Sequence, residues 1–163
     1  MNALTQLQKN KEEKLFFLLF IISIPLSHVG IIGIENPAIM PNYFIALIVS
    51  FILTKKAALS LNKVLFIGLV VDILIGKLIG QYGLIFIIIY ILDLLTNKVI
   101  FIKYEKQIES LSLFLIFSSF IVLWVTSQNF NIFIPLKVLI LQAILTFIAY
   151  LFFRVAITKY ISK

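Results

Sequence analysis

Asp72 stands in the run GLVVDILIGKLIG, with Gly68 four residues before it and Gly76 and Gly80 at the same step after it. A carboxylate in such apolar surroundings could relay a proton or an ion, or act as a catalytic acid–base. Either task normally needs a second ionisable group nearby, and few are on offer. Asp93 is the obvious one, but it falls only about one turn before Asn97 and Lys98, which suits an acid at the membrane interface. The single histidine, His28, follows Pro25 by three residues and reads as a packing or kink-associated residue. With no cysteine in the chain, disulfides, thiol catalysis and cysteine-based metal sites are excluded. The alternative reading of Asp72 is a buried, hydrogen-bonded acid that locks helix packing. The expectation is therefore a protein that is not an enzyme, with no catalytic or metal-ligating set and no cofactor.

The glycine spacing favours packing. Steps of four residues advance about 400° along a helix, so Gly68, Asp72, Gly76 and Gly80 form one slowly drifting stripe. Small residues on one face let another backbone approach closely, and an acid in that stripe turns toward protein rather than lipid. If Asp72 lies near mid-depth, Ser23, Ser118, Ser119 and Gln142 fall at a similar level on other helices. They are expected to form a buried polar layer with it. Gly80 and Gly83 then end the helix and permit a tight turn around Gln81 and Tyr82.

The elements that must hold these residues are membrane helices. Of the 163 residues, 62% are hydrophobic and 13% charged, and the mean hydropathy is +1.14. A water-soluble domain is usually about half apolar and about a quarter charged. The apolar runs predict six spans, at roughly 15–34, 42–54, 62–80, 83–97, 109–127 and 131–157, in a single membrane domain covering 1–163. The first run is of span length and ends without a small-x-small cleavage site, so it is read as a retained helix and not a signal peptide. The second is short for a span and stops at Lys55 and Lys56. Strands are not expected, because the runs lack the alternation of a membrane barrel.

Charge placement orients the bundle. Lys9, Lys11, Lys14, Lys55, Lys56, Lys63, Lys98, Lys103, Lys106, Arg154, Lys159 and Lys163 fall together on one side, leaving only Lys77 and Lys137 on the other. The positive-inside rule places both termini in the cytoplasm. The basic residues are spread over the inner segments and not pooled in one patch, so they speak for orientation and attraction to anionic membrane lipid, not for nucleic acid. The segment 97–110 is expected to lie along the membrane surface.

At motif level the stretch 40–98 resembles the rod shape-determining protein MreD family. Pro41 and Asn42 open the second helix, Lys55 and Lys56 make a basic inner turn, and Gly68, Asp72, Gly76 and Gly80 follow in order and spacing. Met40 stands where that family usually has arginine, and the aromatic pair often found late in its second helix is missing. The resemblance implies an all-α six-helix bundle similar to the substrate-binding subunits of energy-coupling-factor vitamin transporters. It also implies a non-catalytic role in the bacterial inner-membrane elongation complex. The implied partners are an MreC-like bitopic protein and, directly or through it, an MreB-like filament and the RodA and penicillin-binding-protein synthases. The alternative is a vitamin-binding transport subunit, although helix 1 lacks the A-x3-A docking stripe usual there. A lipoprotein signal peptidase is disfavoured, since the N-x-x-D-R and N-x-x-D boxes of that family are absent.

Overall fold

The computed structural model describes residues 3–28, 40–54, 59–75, 79–99, 105–130 and 134–161. Six α-helices account for nearly all of them: α1 (Ala3–His28), α2 (Tyr43–Thr54), α3 (Leu61–Ile75), α4 (Gln81–Val99), α5 (Glu105–Asn129) and α6 (Leu136–Ile161). There is no strand among the described residues. Two helical stretches, Gln107–Asn129 and Leu136–Tyr160, are long and apolar enough to cross a membrane.

The helix at the centre is the shortest. Phe44 to Ile52, nine residues in a row, are all buried, so α2 has no outward face. It touches α1, α4, α5 and α6, while α3 packs almost wholly on α4. Twelve residues at about 1.5 Å each make α2 only about 18 Å long, too short for a hydrocarbon core of about 30 Å. A helix enclosed on every side by other helices need not match that thickness. Phe16 stacks edge-on against Phe51 at 5.0 Å and Phe20 meets Phe44 at 5.6 Å, fixing α1 antiparallel to α2.

Consecutive helices alternate in direction. The Glu109–Arg154 ion pair ties the start of α5 to the end of α6, and Lys63–Glu13 ties the start of α3 to the first half of α1. Gln81 at the start of α4 donates to Thr126 near the end of α5. These contacts put Glu13, Lys63, Glu109 and Arg154 at one end of the bundle. Asn42, Gln81 and Tyr82 lie toward the other.

Away from the polar helix ends, the outer surface of every helix except the enclosed α2 is largely apolar. Phe152 is 74% exposed, Ile73 73% and Phe66 67%, and each has further large apolar neighbours along its helix. Patches of this extent are rare on water-facing surfaces of monomeric proteins and mark contact with a membrane or with other proteins.

Several expected boundaries move. Helix 1 begins twelve residues earlier than 15, because Ala3–Lys14 is polar but rich in good helix formers; 29–34 lie outside the described residues. Of the expected surface segment 97–110, residues 97–99 end α4 and 105–110 begin α5, and 100–104 lie outside the described residues. The expected start of helix 6 at 131 moves to Leu136, where Pro135 supplies the first carbonyl of the helix to Val138 and Leu139. The expected third helix 62–80 is described only to Ile75. Ile79 and Gly80 form a turn, and Gly76 lies outside the described residues.

Candidate functional site: a polar network where three helix ends meet

Asp72 is 2% exposed and sits one turn before the described end of α3. Its carboxylate does not reach across the bundle. Oδ1 accepts the Tyr82 backbone N–H at 2.8 Å, and Oδ2 accepts those of Gly80 at 2.9 Å and Gly83 at 3.3 Å. These are the amides that open α4, where the first turn of any helix leaves N–H groups without intrahelical partners. Gly80 is the N-cap, since its carbonyl accepts the first helical bond from Leu84 at 2.9 Å. A glycine brings no side chain to cap with, so the acid arrives from the preceding helix. All three contacts are donated to the carboxyl oxygens, which supply the acceptors that the opening turn of α4 lacks.

The glycines make this reach possible. Gly80 has φ +94°, a conformation that side-chain-bearing residues avoid. Gly68 lies against the α4 backbone: a Cβ placed there would stand 2.5 Å from Gly83 Cα, 2.7 Å from Gly83 N and 3.0 Å from the Tyr82 carbonyl carbon. Only a residue without a Cβ lets α3 lie this close to α4. Closeness in turn brings the Asp72 side chain onto the N-terminal amides.

Asn42 builds the second part of the network. Its Oδ1 accepts the Ile45 N–H at 3.2 Å and its carbonyl accepts Ala46 N–H at 3.0 Å, so it is the N-cap of α2. Its Nδ2 donates to the Tyr82 hydroxyl at 2.7 Å, and its own N–H donates to Thr146 Oγ1 on α6 at 2.8 Å. Pro41, buried just before it, has its φ fixed by the ring and brings no backbone N–H that would need a partner. The chain of contacts therefore runs from Thr146 through Asn42 and Tyr82 to Asp72, joining α6, α2, α4 and α3. Gln81 extends it to α5 through its 2.7 Å bond to Thr126.

Five of the residues singled out from the sequence, Pro41, Asn42, Gly68, Asp72 and Gly80, thus belong to one region. The expected layer of Asp72 with Ser23, Ser118, Ser119 and Gln142 is replaced by this one. Ser23 donates to Leu19 O, Ser118 to Phe114 O and Ser119 to Ile116 O, each within its own helix. Gln142 offers its backbone carbonyl to Thr146, one turn away, and it is Thr146 that joins the network. The depth argument failed because it assumed an α3 running to residue 80, which put Asp72 mid-helix. Its place near the end of α3 makes it a capping group for the next helix. Tyr82 and Thr146 were missed: a tyrosine in a glycine turn and a lone hydroxyl in an apolar helix were the available signals.

The remaining titratable candidates lie elsewhere. Asp93 is buried beside Ile52, Leu59, Tyr90 and Leu94, toward the opposite end of α4. His28 is the last residue of α1, and its side chain lies outside the described residues. Among the described residues no group of three or more His, Asp or Glu side chains is placed to hold a metal ion.

Comparison of the chain with protein-family models, curated proteins and solved structures finds no match.

Proposed function

We propose that the chain is a six-span protein of the bacterial cytoplasmic membrane with both termini inside, acting as a non-catalytic member of the cell-elongation complex. This is the role that the MreD-family resemblance implies. The observation that supports it best is what the motif does: the acceptor oxygens of Asp72 are engaged by the backbone amides of Gly80, Tyr82 and Gly83. A carboxylate so committed fixes helices against one another and is poorly placed to move protons or attack a substrate. Rigid joints between α2, α3, α4 and α6 suit a scaffold whose outer faces dock other membrane proteins. In this reading an MreC-like bitopic protein docks on the bundle, the basic end faces an MreB-like filament, and the RodA and penicillin-binding-protein synthases are engaged directly or through the MreC-like protein.

The apolar exterior supports the membrane reading, because a lipid-facing surface has no need of polar groups once backbone bonds are closed within helices. The absence of cysteine makes orientation easy to measure. Asn10→Cys and Ser60→Cys, both at exposed positions of the basic end, are expected to resist an impermeant thiol reagent applied to spheroplasts. Asn129→Cys, at the other end, is expected to react. Function is tested by depletion in a rod-shaped host combined with pull-down. Rounded cells and a co-purifying MreC-like protein are the expected result; unchanged shape with no such partner overturns the proposal.

A further inference from the structure

We draw no further inference here: the strongest candidate, the apolar groove between α1 and α3 walled by Phe17, Phe20, Phe66 and Val70, carries nothing, because nothing in the structure shows what covers it and its lining cation, Lys63, is already paired with Glu13.

Discussion

Removing the Asp72 carboxylate is expected to loosen the start of α4 before anything else. In Asp72→Ala the amides of Tyr82 and Gly83 stay buried and lose their acceptor, while that of Gly80, at a half-buried turn, can turn toward other acceptors. An unsatisfied buried donor costs about 1–3 kcal/mol, so the two together cost about 2–6 kcal/mol. Asp72→Asn is the finer probe. With its one oxygen facing Gly80 and Gly83, it keeps two contacts and turns an NH2 group against the N–H of Tyr82; flipped, it keeps only one. A loss of about 1–3 kcal/mol is expected, between wild type and alanine. Unfolding of the purified protein in micelles gives the ranking, and hydrogen exchange at residues 80–84 gives the location. The capping argument is refuted if Asp72→Ala unfolds where wild type does and the Tyr82 and Gly83 amides keep their protection. A relay or catalytic carboxylate predicts that opposite pattern, an intact fold with lost activity.

Other outcomes follow from the same contacts. Gly68→Ala forces the α3 and α4 backbones apart, because its Cβ would lie 2.5 Å from Gly83 Cα; a loss of about 1–3 kcal/mol is expected in the unfolding assay. Gly83→Ala is the control: its Cβ would meet Leu69 Cδ2 at 3.8 Å and Asp72 Oδ2 at 3.9 Å, both ordinary contacts, and stability should hold within about 1 kcal/mol. Tyr82→Phe leaves Asn42 Nδ2 without its 2.7 Å acceptor, and Thr146→Val removes the acceptor of the Asn42 N–H. Each is expected to cost about 1–3 kcal/mol. Because Asn42 is common to both contacts, combining Tyr82→Phe with Asn42→Ala should cost clearly less than the sum of the single changes. Lys63→Gln breaks an ion pair whose side chains are 47% and 31% exposed, so the unfolding midpoint should scarcely move.

Much of the local structure was legible along the chain. The apolar runs located all six helices, since they are long and lack the period-two alternation of strands. Asn42 ahead of an apolar run is an N-cap signal that needs no tertiary information, and it caps α2 as that signal implies. The glycine spacing around Asp72 announced a close helix contact, and Gly68 makes one. The polar N-terminal turns of α1 were harder to assign, because amphipathic or polar helix carries no hydropathy signal. Their helix-forming composition was the weaker clue.

What the linear pattern could not determine was the partner of the acid. Hydropathy and spacing establish that Asp72 faces protein, but a side chain near the end of one helix can turn inward across the bundle or forward onto the next helix. The choice depends on where α3 stops and how near α4 lies. That nearness is a property of the folded pair, made possible by Gly68 and by the positive φ of Gly80. The sequence by itself determined that this chain is helical, apolar on the outside and basic along one set of turns. Only the tertiary structure decided that α2 is enclosed, that Asp72 caps α4, and that Asn42, Tyr82 and Thr146 meet. Hydrogen bonds between helices form at distances set by three-dimensional packing, which spacing along a chain does not encode.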